Sequence, residues 1–364
     1  MPNALWNPDD ATPHWLTDAL RAEGALRRGR VVDVYRGAVQ STSTWQLHSL
    51  ELRYSPGAAA VEADDPPKRL LLKVSHDAPH QGLSTGKEVW FYRYVATEES
   101  MSSVPLVRCY AAAHEPPYGA SYALVDDLSA THGQPPLLLV PPHAHGVQAI
   151  EALARLHAAW WQHPRLTPDH DVAERLAWER VAAQAIGRLD PIETLVPTFL
   201  AYLGDRLSSK QSGVFEQVVA SDARRRERRQ RRPQTMRHGD AHWWNFLYPD
   251  DPTVGTTRLL DWGTWRIGVG TDDLAYMIAL HAHREWRSRF EEDLLRRYHR
   301  ALTTAGVGGY EWIACWDDYR WSVIDSLHIA PHFWSINVPA CIWWPKVECG
   351  LAAFEDLRCA DLLA

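Results

Sequence analysis

Near residue 128 the hydrophobic pattern of the chain changes its period. Before that point apolar residues alternate or run in short β-branched stretches: VVDVYRGAVQ (31–40), TWQLHSLELRYS (44–55), RLLLKVS (69–75), LVRCYAAAHE (106–115) and SYALVDDLS (121–129). Gly, Pro and Ser separate them, which is how strands and turns read. PGAAAVEADDPPK (56–68) suits a solvated hairpin loop, and GKEVWFYRYVATEE suits one helix at about 85–98. After the change, VQAIEALARLHAAWWQ (147–162) sets apolar residues at helical spacing, and helical patterns dominate to the end. A chain ordered in this way is α+β. We expect a sheet-rich N-terminal lobe at 1–128 and a larger, mainly helical lobe at 129–364.

The chain has 364 residues, 46% hydrophobic and 23% charged, with a formal charge of −7, the balance of a globular protein. Mild acidity argues against nucleic acid as a partner. The block RRRERRQRR (224–232) is expected to be a solvated helix end. Five cysteines without CxxC spacing point to reduced thiols and to neither disulfides nor zinc. MPNALWNPDDATPHWL has neither a basic n-region nor an apolar h-region, and no apolar run is long enough to span a membrane. The expectation is a cytoplasmic protein without a membrane partner.

The chemistry concentrates in RHGDAHWWNFLYP (237–249), where Asn245 follows Asp240 by five residues. That is the spacing of a kinase catalytic loop. A carboxylate orients a hydroxyl and takes its proton, and a neutral amide oxygen ligates Mg²⁺ without adding charge beside phosphate. A chance match would be common for that pair alone. About 20 residues on, TTRLLDWGTW reads as an apolar strand ending in Asp261, placed to bind the metal, with Gly263 to turn the backbone. Upstream, Lys73 ends RLLLK and is the candidate anchor for nucleotide phosphate, with Glu88 in the next helix as its partner. Thr85 to Glu88 also fits an N-terminal capping box, the competing reading of that glutamate.

HGDAHWWNFLYP, LLDWG, GVGTDDLAYMI (268–278) and ALARLHAAWW resemble the aminoglycoside phosphotransferase-like and choline kinase-like small-molecule kinases. Within that group the ecdysteroid kinase-like branch is the most similar. The resemblance implies a bilobal protein-kinase-like fold, with ATP held by the hinge backbone from Val125 through Asp127 to Leu128. It implies Asp240 as the catalytic aspartate, Asn245 and Asp261 as magnesium ligands, and Lys73, supported by Glu88, on nucleotide phosphate. It also implies structural roles for His238 and Asp273. The phosphate loop departs from the pattern: RGAVQSTSTW lacks GxGxxG and offers Gly37 with a polar run that includes Ser41 and Thr42.

The expected activity is transfer of the γ-phosphate of ATP to a hydroxyl of a small molecule. WIACWDDYRW (312–321) and HFWSINVPACIWWPK (332–346) are candidates for the acceptor site. Aromatics with Asp317 and Asp318 would suit an amine-bearing sugar or a choline-like cation; aromatics alone would suit a steroid-like alcohol. Two alternatives stand beside this. The fold can serve as a binding module without turnover, and Gly82-Leu-Ser84-Thr-Gly86 matches the GxSxG elbow of serine hydrolases. The pairs His143/His145 and His281/His283 have i, i+2 spacing, which does not share a helical face, so these histidines are expected to be structural.

Overall fold

A computed structural model describes residues 7–59, 65–75, 82–115, 120–137, 139–176 and 191–363. By its contacts the chain forms two units, residues 1–133 with 247–264, and residues 134–246 with 265–364. The stretch 247–264, which contains Asp261, therefore packs with the N-terminal residues although it comes late in the chain.

In the first unit, helix α1 (Pro13–Ala22) precedes strands β1 (Val31–Ser41), β2 (Trp45–Tyr54) and β3 (Arg69–Ser75), helix α2 (Gly82–Tyr94), and strands β4 (Cys109–His114) and β5 (Ser121–Asp126). The sheet is antiparallel in the order β1-β2-β3-β5-β4. Leu70 and Leu72 join Leu50, Tyr122 and Leu124 in a core closed by Leu16 and Leu20 of α1. Successive strand side chains face opposite ways, so Lys73 is out of phase with that core and turns to the other face. Helix α1 starts on a Thr12 cap whose hydroxyl accepts from the Trp15 N–H, with Pro13 in the first turn. Of the loop expected at 56–68, residues 60–64 lie outside the described residues.

The second unit is built on the helix His143–Ala159 lying against Arg284–Thr304. Its arginine block differs from expectation. The helix Asp222–Gln230 does form, but Arg225 is buried, and Arg228 and Arg232 reach Asp318 at 2.6 and 2.7 Å. Tyr310 donates to the same carboxylate at 2.9 Å, and Arg229 bridges Asp272 and Asp325. The spacing that suggests a solvated stripe is equally the spacing of one face packed on acids. Those acids lie 43 to 100 residues further along, so local pattern could not reveal them. Among the described residues no helix is long and apolar enough to cross a membrane.

Asp318 is fully buried, so its removal leaves two guanidinium groups without a counter-charge. We expect Asp318→Ala to cost about 3–5 kcal/mol in chemical denaturation. Adding Arg228→Met should recover part of that loss.

Candidate active site

In the first unit, Lys73 and Glu88 meet: Nζ lies 2.5 Å from Oε1, and Glu88 is fully buried. Burial pushes the Glu88 carboxyl up and Lys73 opposes it, with Asp261 adding to the upward push. The ammonium also lies over the Trp45 ring, 4.8 Å from its centroid. Thr85 lies inside α2 rather than at its start and accepts from Ser121 Oγ at 3.0 Å, while the Glu88 carboxylate meets Lys73. Ser84 is also in the first turn of α2 and donates to the Gly263 carbonyl at 3.3 Å. A helical serine cannot be the exposed elbow of a hydrolase.

The Asp261-Trp262-Gly263 segment docks on that same helix. Trp262 is fully buried and stacks on Phe91 at 3.8 Å and 6°. A Cβ on Gly263 would come within 2.2 Å of Ser84 Oγ and 3.3 Å of its carbonyl oxygen, so a larger residue would force the Ser84 hydroxyl off the Gly263 carbonyl. Asp261 has φ +66°, a left-handed conformation that costs on the order of 1–3 kcal/mol in a residue with a side chain. Aspartate tolerates it better than most.

At the expected hinge, Val125 is paired on both sides, with Leu71 and with Cys109. The Asp127 carboxylate accepts from Arg69 at 3.0 Å and from the Ser129 N–H at 3.0 Å, and its own N–H donates to the Arg69 carbonyl. The Leu128 carbonyl accepts from Thr131 and His132, whereas the Leu128 N–H has no partner among the described residues. In the phosphate loop, Ser41 ends β1 opposite Gln46, and the Thr42 hydroxyl is engaged with Trp45 in the turn.

In the second unit, Asp240 and Asn245 meet. The Asn245 amide nitrogen donates to the Asp240 carbonyl at 2.8 Å and to its Oδ2 at 3.1 Å. No hydrogen bond reaches the Asn245 amide oxygen among the described residues, so a neutral oxygen is left open beside the carboxylate. The two tryptophans hold the loop. Trp243 is fully buried edge-on to Trp286, and Trp244 Nε1 donates to the Pro136 carbonyl at 2.8 Å. His238 and Gly239 both donate backbone N–H groups to Asp273, at 2.6 and 3.0 Å, and Gly239 has φ +82°. His157, itself bonded to Tyr298, completes the set on Asp273.

Burial pushes the Asp240 carboxyl up, but His242, the Tyr276 hydroxyl and His238 outweigh it and hold it below the usual carboxylate range. His242 Nε2 lies 3.4 Å from Asp240 Oδ2. Tyr276 sits in a single π-helical turn, Ala275–Ala279. His281, expected to be structural, is also here: its Nδ1–H donates to the Tyr276 carbonyl at 2.7 Å, and its Nε2 accepts from Lys346 at 2.8 Å. Sequence reading missed Tyr276, His242 and Lys346, whose lone local signal is a lysine inside an aromatic helix. Among the expected acceptor acids, Asp318 is taken by Arg228 and Arg232, and Asp317 lies 3.5 Å from Arg320.

As to donor chemistry, a free amide oxygen at Asn245 and a carboxylate at Asp261 are what magnesium takes. Asn245 belongs to the second unit and Asp261 to the first. Among the described residues no group of three or more His, Cys, Asp or Glu side chains forms a metal cluster.

A model described as the phosphotransferase enzyme family matches residues 53–314. The chain therefore belongs to that family of phosphotransferases. Two solved structures align over nearly the whole chain. A microcompartment-associated aminopropanol kinase shares 10% identity, covering 94% of this chain and 96% of its own, with TM-score 0.51. The GDP complex of a mutant aminoglycoside 2'-phosphotransferase-IIIa shares 10% identity, covering 96% and 98%, with TM-score 0.50. At such identity the likeness shows the fold, which is α+β and kinase-like with two lobes. No curated protein matches the chain.

Asp273 is held at about 2: burial pushes it up, and the His157 hydrogen bond and charge more than reverse that. A folded value below the unfolded one means stability that is complete above pH ~4 and lost as pH falls toward 2. We expect Asp273→Asn to be destabilised by about 2 kcal/mol at neutral pH, on the arithmetic of such a shift. Denaturation midpoints between pH 2 and 6 should show the gap from wild type closing only below pH ~4.

Proposed function

We propose that this phosphotransferase moves the γ-phosphate of ATP to a hydroxyl of a small molecule, with Mg²⁺ as cofactor. The observation that carries the reading is the Asp240–Asn245 arrangement, a depressed carboxylate whose amide neighbour donates through nitrogen and keeps its oxygen free. Lys73, fixed by Glu88, supplies the positive charge for phosphate oxygens. The open Leu128 N–H is suited to an adenine ring nitrogen. Ser41, Thr42, Val125 and Asp127 fit less directly, because the ladder, the turn and Arg69 already engage most of their groups.

In the proposed reaction the acceptor oxygen forms a bond to the γ-phosphorus while the bond from that phosphorus to the β,γ-bridging oxygen breaks. ADP leaves, and the hydroxyl proton passes to Asp240 and on to water. Asp240 need not be a strong base, since phosphoryl transfer is governed by positioning and charge neutralisation. When bound, Mg²⁺ would neutralise charge on the β- and γ-phosphates, and Asn245 and Asp261 are the residues to hold it.

An ADP-release assay with ATP or GTP across hydroxylated acceptors tests the reading. Asp240→Asn should lower kcat by roughly 10²–10⁴-fold, the usual weight of a general acid–base group, with nucleotide affinity within a few-fold of wild type. Wild-type-like turnover in that variant would reject the assignment. Asp261→Ala should weaken nucleotide binding by calorimetry only when Mg²⁺ is present; an equal loss in EDTA would remove Asp261 from the metal site.

A further inference from the structure

Lys346 sits in the helix Ala340–Asp356, directly after Pro345, and is only 4% exposed. Its ammonium donates to His281 Nε2 at 2.8 Å and lies 5.6 Å from the centroid of the Phe333 ring. Among the described residues it has no carboxylate within salt-bridge distance and no second hydrogen bond. Because His281 Nδ1–H is given to the Tyr276 carbonyl, the nitrogen facing Lys346 is an acceptor and the imidazole is neutral. Burial, then the nearby Lys346 charge, hold His281 well below its ordinary range.

An ammonium has three donors, and a buried cation with a single neutral partner is unfavourable unless something completes its shell. The Lys346 partner His281 lies 5.8 Å, ring to ring, from His242, whose Nε2 is 3.4 Å from Asp240, the residue assigned to the acceptor hydroxyl, and the Asp240 carboxylate favours the charged ammonium. The acids that could offset a cationic acceptor are occupied elsewhere: Asp318 by two arginines, Glu291 by Arg287 and Tyr319. Around Asp240 in this unit the described residues thus place a donor cation, Lys346, together with the rings of His242, Tyr276 and His281.

We propose that Lys346 is a specificity-determining residue of the acceptor site. It donates to an oxygen, anionic or neutral, beside the hydroxyl that Asp240 orients, and disfavours an ammonium group at that place. The inference rests on the reading of Asp240 given above and narrows its substrate class to oxygen-bearing aromatic or apolar alcohols. Discrimination of this kind uses a repulsive element as well as an attractive one.

Three matched probes test it: mandelate, mandelamide and 2-amino-1-phenylethanol, which set a carboxylate, a carboxamide or an ammonium next to the same benzylic hydroxyl. In ADP release, wild type should use mandelate over 2-amino-1-phenylethanol by roughly tenfold or more in kcat/KM. Lys346→Met should erase that ratio, Lys346→Glu invert it, and Lys346→Arg keep most of it. A merely structural lysine would lower all three probes together and leave the ratio in place. Nucleotide affinity identifies any variant that has lost its fold, in which case Lys346→Gln replaces it.

The ratio should also fall as pH rises through about 8, where burial has brought the Lys346 ammonium against the opposing pull of Asp240 and Cys349. The other titratable group facing it is His281. A wild-type preference for the ammonium probe, an unchanged ratio in Lys346→Met, or no turnover of any probe would each overturn the proposal. Turnover that survives Asp240→Asn would instead remove the underlying reading. Turnover that needs Asp240 but shows a ratio indifferent to Lys346 removes only this inference.

Discussion

Two consecutive backbone N–H groups, those of His238 and Gly239, turn onto the single carboxylate of Asp273, and the turn that carries Asp240 is held by that clamp. Both of its oxygens are used, and His157 with Tyr298 fixes it from behind. Gly239 can supply the left-handed φ the turn needs because it has no Cβ. The chain leaves the clamp at Asp240, so the direction of that carboxylate is set before any ligand is present. His242, Tyr276 and Asn245 then act on a group already aimed. Preorganisation of this kind is what a positioning mechanism requires.

The first unit solves a parallel problem with different means. A glutamate buried as completely as Glu88 is tolerable only with its charge met, and Lys73 meets it. The pair is therefore only as well placed as α2. Trp262 on Phe91 and the close approach of Gly263 to Ser84 fix that helix against the segment carrying Asp261. Helix, ion pair and aspartate are thus tied together by packing within the unit. The left-handed backbone of Asp261 is strain that this packing can hold.

How much of this could be read from residue order follows from the range of the interactions. Strands β1, β2 and β3 match their expected limits within a residue or so, because alternation and flanking Gly, Pro and Ser are local. The start signal of helix α1, Thr12-Pro13, is local as well, but it lies outside the elements expected from alternation. Asp240 and Asn245 share one short turn, so their meeting is also local. The placement of 247–264 with the first unit is not local, nor is the burial of the arginine face, and neither leaves a trace in nearby spacing. His281 shows the limit most clearly. The i, i+2 argument correctly separates it from His283, yet says nothing about Tyr276, His242 and Lys346, which surround it in space.

The distribution of acids bears on acceptor chemistries that composition alone leaves open. Read as a string, Asp317 and Asp318 among tryptophans suggest a cage for a cation. In three dimensions Asp318 is fully buried at the hub of an arginine network, accepting from Arg228, Arg232 and Tyr310. Several of the tryptophans, Trp160, Trp243, Trp262 and Trp265 among them, are wholly internal. Linked to Asp240 through His281 and His242 is Lys346, which among the described residues has no carboxylate within salt-bridge distance. Charge neutrality in a poorly hydrated place is a strong demand. On the reading proposed above, an oxygen brought by the substrate would complete the hydrogen-bonding shell of Lys346, and an ammonium would add like charge beside it.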